Sequence, residues 1–269
     1  MGFIAQTSLN KSLQNMSFTD KAIIITGGAK GIGEGCARIF HRDNGNVAIF
    51  DVDEKAGTGL ARDLGDRCRF YRCDVSSEKQ VQQAVSDVIK DYGRVDVLVN
   101  NAGILKYSGV TDTSEEEWEH VMEVNVKGAF LCAKHTIPYM QKQGKGVVVN
   151  MSSVQAFVAQ KNVAAYIASK SALIGLTRSI AVDYAPEIRS VAICPGGVDT
   201  PMNREAFSQS ADPDKVRQET IDIHLVERMA NQREIGELVA FVSGEKGAFI
   251  TGQPIRIDGG IGIKLSGSI

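Results

Sequence analysis

The sequence predicts an α/β fold: one doubly wound domain on a parallel sheet. Three observations carry this. Short β-branched runs alternate with helix-patterned segments along the chain, as crossover units require. The strand-like runs are continuously apolar, the mark of parallel strands covered on both faces. No repeat, low-complexity tract or linker divides the 269 residues, and α/β folds often use this length as one domain.

The elements follow in order. "KAIIIT" (21–26) is the first strand, and "GIGEGCARIFHRD" (31–43) has a helical stripe through Ile32, Cys36, Ile39 and Phe40. "NVAIF" (46–50) is the second strand, "DEKAGTGLARDLG" (53–65) the second helix and "CRFYRC" (68–73) the third strand. "SEKQVQQAVSDVIKDYG" (77–93) places Val81, Ala84, Val85, Val88 and Ile89 on one helical side. "VDVLVN" (95–100) is the fourth strand, and one long helix is expected over about 115–143. "GVVVNMSS" (146–153) is the fifth strand, followed by a helix over 164–186 and the strand "RSVAICP" (189–195). A polar stretch runs to about 230, then a helix near 234–243 and a last strand, "PIRIDGG" (254–260). Residues 1–18 read as a tail or arm, leaving 19–269 as the domain.

Composition removes several function classes. A net charge of −2, with no dense Lys/Arg run, gives no electrostatic case for nucleic acid. No apolar run approaches the ~20 residues that span a bilayer, and the polar N-terminus lacks the apolar core of a signal peptide. Cys36, Cys68, Cys73, Cys132 and Cys194 are scattered, with no Cys-x-x-Cys pair and no Cys/His cluster. This predicts no disulfide framework, no metal site and a reducing, cytoplasmic setting.

"TGGAKGIG" (26–33) joins the first strand to the first helix. Its glycines permit a tight turn, and the helix N-terminus offers free N–H groups to an anion. The spacing G-x-x-x-G-x-G departs from G-x-G-x-x-G, but the strand–turn–helix setting suits a pyrophosphate. Asp51 ends the second strand. A carboxylate there accepts hydrogen bonds from an adenosine ribose and repels a 2′-phosphate, which favours NAD over NADP. Lys30 pulls the other way, as a base beside the loop. Farther along, Tyr166 and Lys170 stand about one helical turn apart, so both lie on one helix face.

Taken together, "TGGAKGIG", "CDV" (73–75), "NNAG" (100–103), "VNVKG" (124–128), "NMSS" (150–153), "YIASK" (166–170) and "PGGVDT" (195–200) resemble the short-chain dehydrogenase/reductase family over about Asp20 to Gly260. The resemblance implies a Rossmann-like domain with a seven-stranded parallel sheet in the order 3-2-1-4-5-6-7. It implies that Thr26, Gly27, Gly31, Ile32 and Gly33 hold the pyrophosphate side of the cofactor, with Lys30 beside them, and that Asp51 takes the ribose. Asp74 and Val75 would flank the adenine, and Asn101, Ala102 and Gly103 would run beside the cofactor. Pro195, Gly196, Val198 and Thr200 would border the nicotinamide, with Tyr166 and Lys170 also touching it.

The catalytic tetrad falls on Asn125, Ser153, Tyr166 and Lys170. Ser153, rather than Ser152, stands thirteen residues before the tyrosine, as is usual in the family. In this scheme Tyr166 exchanges the substrate proton and Lys170 lowers its pKa by charge. Ser153 bonds the substrate oxygen, and Asn125 holds a water that relays protons to Lys170.

The segment after "PGGVDT" forms a lid in such proteins, here 200–230, and it is highly polar. Lys106, Gln155, Lys161, Asn162 and His224 are the candidate substrate contacts, with a surface position the blander reading of His224. A polar mouth suits a sugar or polyol more than a steroid or long acyl chain. The stretch from Ser152 to Pro186 is similar to that of aldose 1-dehydrogenases, which implies oxidation of an aldose at C1. The alternatives are another short-chain alcohol dehydrogenase, a 3-oxoacyl-carrier reductase, and a non-catalytic dinucleotide sensor. The apolar helices 115–143 and 164–186 carry more hydrophobic surface than one sheet face easily buries; the resemblance implies that they pack in a dimer's four-helix bundle within a tetramer, and the C-terminal "GIGIKLSGSI" is expected to cross a subunit boundary.

Overall fold

The computed structural model describes residues 18–263. The expected arm, apart from its last residue, and most of the C-terminal tail lie outside the described residues. Phe18 belongs to the domain: it is buried and meets the Phe40 ring edge-on, with centroids 4.8 Å apart.

Seven parallel strands form one sheet in the order β3-β2-β1-β4-β5-β6-β7. They are β1 (Ala22–Thr26), β2 (Asn46–Asp51), β3 (Cys68–Arg72), β4 (Val97–Asn100), β5 (Gly146–Met151), β6 (Ile188–Pro195) and β7 (Pro254–Ile257). Helices α1 (Gly31–Arg42) and α9 (Gln232–Ser243) cover one face, where Ile23, Ile25, Ile49, Val99 and Ile193 meet Cys36, Ile235 and Val239. The other face packs Ile24, Leu98 and Val148 against α3 (Glu78–Tyr92) and α5 (Gly128–Gln143), through Val81, Val88, Leu131 and Met140. Successive side chains of a strand point to opposite faces, so a doubly covered sheet needs apolar residues at every position. α2 (Glu54–Leu64) is capped by Asp53, whose carboxylate accepts from the Ala56 amide. α1 and α9 cross closely at two glycines: a Cβ on Gly35 would lie 2.4 Å from the Gln232 carbonyl, and one on Gly236 2.8 Å from that of Gly35.

Two expectations are corrected. The long helix over 115–143 is three pieces: α4 (Glu115–Met122), a π-helical turn (Glu123–Lys127) and α5. The wider turn inserts a residue without disturbing the apolar stripe, so periodicity does not reveal it, and such turns are frequent at functional sites. The polar stretch to residue 230 holds two helices, α7 (Pro201–Ser208) and α8 (Pro213–Asp222). α6 (Ala164–Tyr184) is tied to the sheet by buried amides. Asn100 donates to Asn150 (2.9 Å), and Asn150 donates to the Thr177 hydroxyl (2.9 Å). This register brings the carboxyl ends of β1, β4, β5 and β6 to one rim, where ligands of open α/β sheets bind.

Candidate active site

The glycine loop leaves β1 at Thr26. The buried Thr26 hydroxyl accepts from the amides of Asn101 and Ala102, both at 3.0 Å. The Asn101 side-chain amide donates to the carbonyls of Thr26 and Gly27, both at 3.0 Å. Thr26 and Asn101 therefore fasten the loop to the end of β4. Gly27 has φ +59°, and a Cβ there would lie 2.8 Å from Ala102 Cα; one on Gly33 would lie 2.1 Å from the Gly27 carbonyl.

α1 then begins without a side-chain cap, since its N-cap is Lys30. The amides of Gly31, Ile32 and Gly33 find no acceptor among the described residues, and a helix start with free donors and a positive dipole end suits a phosphate. A Cβ on Gly31 would stand 3.4 Å from Thr200, which places the first residue of the lid against this cradle.

The residues fit a dinucleotide along the rim. Asp51 accepts from the Ala29 amide through one oxygen (3.0 Å) and the Asp53 amide through the other (3.0 Å). Each oxygen keeps lone-pair capacity for a hydroxyl. Lys30 pairs with Asp53, at 2.5 Å. Asp74 accepts from the Ser76 amide and hydroxyl, and Val75 is buried against Gly128.

At the other end of the rim, Ser153 follows β5 and Tyr166 begins α6. The Ser153 hydroxyl accepts from the Gln155 amide at 3.1 Å and stands close enough to the Tyr166 phenol to favour its ionised form. Ser152 points elsewhere: its hydroxyl donates to the Lys170 carbonyl at 2.7 Å. The buried Lys170 ammonium donates to the Met151 carbonyl (2.8 Å) and lies 5.4 Å from the centre of the Tyr166 ring.

Burial pushes the Tyr166 phenol up to about 12, against a smaller opposing effect of the nearby Ser153 hydroxyl. Burial likewise draws Lys170 down to about 8. Burial therefore sets the direction of both shifts, each toward the neutral form.

Asn125 sits in the π-helical turn and is 1% exposed. Its side chain accepts from the Ile104 amide (2.8 Å) and donates to the Ile104 carbonyl (3.0 Å) and the Ser169 hydroxyl (2.9 Å). Ser169 in turn donates to the Tyr166 carbonyl at 2.7 Å. With its amide so engaged, the Asn125 side chain braces α6 and the segment that follows "NNAG". A Cβ on Gly103 would meet Lys170 Nζ at 3.2 Å and Asn125 Oδ1 at 3.3 Å, so Gly103 lets the three pack together. Sequence reasoning missed Ser152 and Ser169, whose only signal is adjacency to Ser153 and Lys170.

The family model described as enoyl-(acyl carrier protein) reductase matches residues 27–262. The oxidoreductase UcpA of Salmonella typhimurium is 40% identical over 258 residues, 93% of this chain and 98% of that protein. The chain belongs to the short-chain dehydrogenase/reductase family. Among solved structures, the Thermoplasma acidophilum aldohexose dehydrogenase superposes with a TM-score of 0.87 at 36% identity, covering 94% of this chain and 98% of that one. A Brucella melitensis 3-ketoacyl-(acyl-carrier-protein) reductase complexed with NADH gives 0.86 at 31% identity, over 92% and 100%. This short-chain dehydrogenase/reductase is an oxidoreductase acting on CH–OH groups with a nicotinamide cofactor. No helix among its described residues is long and apolar enough to cross a membrane, and no cluster there has the makings of a metal site.

The candidate substrate residues of this dehydrogenase lie in different settings. Lys106 and Lys161 are exposed and make no hydrogen bond or ion pair among the described residues. Asn162 has φ +58°, a turn conformation that asparagine tolerates, and the turn sets up the Ser108–Val163 bridge. Gln155 donates to Gln160 at 2.8 Å, while its own amide oxygen is buried without a partner. His224 is neither on the surface nor free for substrate: it is 3% exposed, with both ring nitrogens bonded to backbone. Pro195, Gly196 and Val198 leave β6 beside Ser153, and Val198 is buried and bridges to Ala230.

Proposed function

We propose that this enzyme is an NAD-dependent dehydrogenase of small polar alcohols, oxidising an aldose at C1 to the lactone. The supporting observation is Gln155, two residues past Ser153, whose buried amide oxygen has no partner. A buried acceptor is costly unless a ligand bonds it, and a sugar hydroxyl is a fitting donor. The lid adds polar character, with no buried residue in α7 or α8. The likeness to an aldohexose dehydrogenase points the same way.

Tyr166 takes the hydroxyl proton as the carbon loses hydride, and returns a proton in the reverse direction. Ser153 donates to the substrate oxygen and holds it against the phenol. Lys170, fixed by the Met151 carbonyl, keeps positive charge near the Tyr166 ring. When bound, an oxidised nicotinamide accepts the hydride and brings a second positive charge to the site. Lys170 and Tyr166 would hold its ribose, and Pro195, Gly196, Val198, Thr200, Asn101, Ala102 and Gly103 would border it. Asp51 holds the adenosine ribose, and Asp74 and Val75 flank the adenine. Asp51 favours NAD over NADP, and the charge of Lys30 is offset by its pair with Asp53.

A panel of NAD-linked assays with aldoses, cyclic alcohols and 3-oxoacyl thioesters tests this reading. Turnover is expected with an aldose, and absence of turnover with any aldose overturns it. The Brucella likeness supports a second reading, reduction of a 3-oxoacyl thioester, which the same panel detects.

The chain is further proposed to work as a cytoplasmic homotetramer. Phe130 and Tyr139 on α5 and Val182 on α6 are exposed apolar residues that a second copy would cover, and all five cysteines are free thiols. Sedimentation at micromolar concentration is expected to give a tetramer; a monomer overturns the assembly.

A further inference from the structure

His224 lies two residues past α8, where a histidine is ordinarily solvated, yet it is 3% exposed. Its ring fills a slot between three glycines. A Cβ on Gly197 would lie 2.8 Å from the ring Cε1, one on Gly196 3.0 Å from Nε2, and one on Gly259 3.0 Å from Cδ2. Any larger residue at these places would expel the ring. Nδ1 lies 2.6 Å from the Thr220 carbonyl. A carbonyl only accepts, so Nδ1 carries the proton. Nε2 is then an acceptor, and it takes the Gly197 N–H at 3.0 Å.

Three segments meet at this ring. Gly197 belongs to the exit from β6, and its carbonyl also accepts from the Ala230 amide at 2.9 Å. Thr220 belongs to the last turn of α8. Gly259 follows β7, and its carbonyl accepts from the Leu225 amide at 2.8 Å. No residue of α8 is buried, so the helix has little packing of its own to hold it in place. The imidazole is a bonded link between it and the β6 exit.

We propose that His224 is a positioning residue that couples the placement of lid helix α8 to the backbone of Pro195–Val198. Its effect on turnover rests on the reading above, in which this segment borders the nicotinamide. The coupling itself does not.

Two amide substitutions separate the two nitrogens. In His224→Gln the amide oxygen stands near the place of Nε2 and can accept from Gly197. In His224→Asn the amide nitrogen stands near Nδ1 and can still donate to Thr220, but nothing accepts from Gly197. Hydrogen exchange of the full chain without cofactor reads the result. His224→Asn is expected to raise exchange of residues 195–199 and 213–222 together, by about tenfold. His224→Gln is expected to keep residues 195–199 near the wild-type rate. Gly197→Ala, which crowds the slot from the β6 side, is expected to loosen 213–222 although it lies outside that helix.

The coupling is overturned if His224→Asn leaves residues 195–199 protected while 213–222 opens, or if Gly197→Ala leaves 213–222 unchanged. It is also overturned if His224→Gln opens both segments as far as His224→Asn. With an alcohol that turns over, His224→Asn is expected to raise KM about fivefold with kcat within about twofold. Failure of the wild-type protein to bind NADH overturns the dinucleotide reading and leaves the exchange result to decide the coupling.

Discussion

The cradle at the head of α1 and the lid over residues 200–230 border one rim and touch at Gly31 and Thr200, yet they are held by different means. The cradle is fixed by backbone contacts with no slack. Thr26 and Asn101 bond it on both sides, and Gly27 and Gly33 sit where a methyl group has no room. The lid helices bury no residue and depend on caps, on Asn203 bonding the Val198 carbonyl at 2.7 Å, and on the His224 link. A binding surface for an invariant ligand part can be rigid. A surface that must admit and release substrate is drawn from the low-stability end of the fold.

The largest effect should come where the two meet the chemistry. Tyr166→Phe removes one hydroxyl and keeps the ring beside Lys170. General acid–base groups contribute about 10²–10⁴ in rate, so turnover should fall by about that factor while NADH still binds, as read by nucleotide fluorescence. A variant that keeps a tenth of wild-type turnover removes Tyr166 from the proton transfer.

The rigidity of the cradle is broken by Gly33→Ala, because its methyl group would stand 2.1 Å from a carbonyl that is itself bonded to Asn101. Overpacking of a tight site costs about 1–3 kcal/mol or more, and both NADH affinity and Tm should drop. Gly59→Ala, in α2 with nothing within 4 Å of the added methyl, is the contrast. It should be neutral or stabilise by up to about 1 kcal/mol, through helix propensity. Equal effects of the two would mean that the cradle has slack.

Much of the cradle was legible because its causes are local. A strand, a turn with glycines at fixed offsets and a helix start all lie within one short stretch, and doubly covered strands announce themselves by continuous apolar residues. The lid was not legible in the same way. α7 and α8 have no apolar stripe to read, although Thr200-Pro201 and Asp212-Pro213 each carry an N-cap residue followed by proline, a helix-start signal that the polar composition masked. His224 was illegible for another reason: its Gly197 partner is backbone 27 residues away, and no side-chain pattern encodes that. The π-helical turn around Asn125 was hidden because one inserted residue leaves the helical stripe intact. The altered pKa values of Tyr166 and Lys170 depend on burial, which spacing alone does not supply.

Lys170 gives the next largest effect, and its sign is opposite to that of an ordinary surface lysine. Its folded pKa, about 8, lies below the 10.5 of a free lysine. Between those values the unfolded chain binds more protons than the folded one, so stability rises with pH across that window. The full difference corresponds to about 3 kcal/mol. Denaturant unfolding from pH 7.5 to 10.5 (about the window set by these values) should show this rise in the wild type and lose most of it in Lys170→Met. A variant with the wild-type slope would mean that Lys170 is not the group that titrates.

The smallest effect tests the lid alone. Asp212 caps α8 by accepting from the Lys215 amide at 3.0 Å. Losing such a cap costs about 1 kcal/mol. Because no residue of α8 is buried, that loss should open the helix locally without unfolding the domain. Asp212→Ala should therefore raise hydrogen exchange of residues 213–222 by about fivefold, while Tm and the exchange of residues 26–33 stay at their wild-type values. A fall in Tm as large as that of Gly33→Ala would mean that the lid folds with the sheet as one unit, and the contrast between the two regions would collapse.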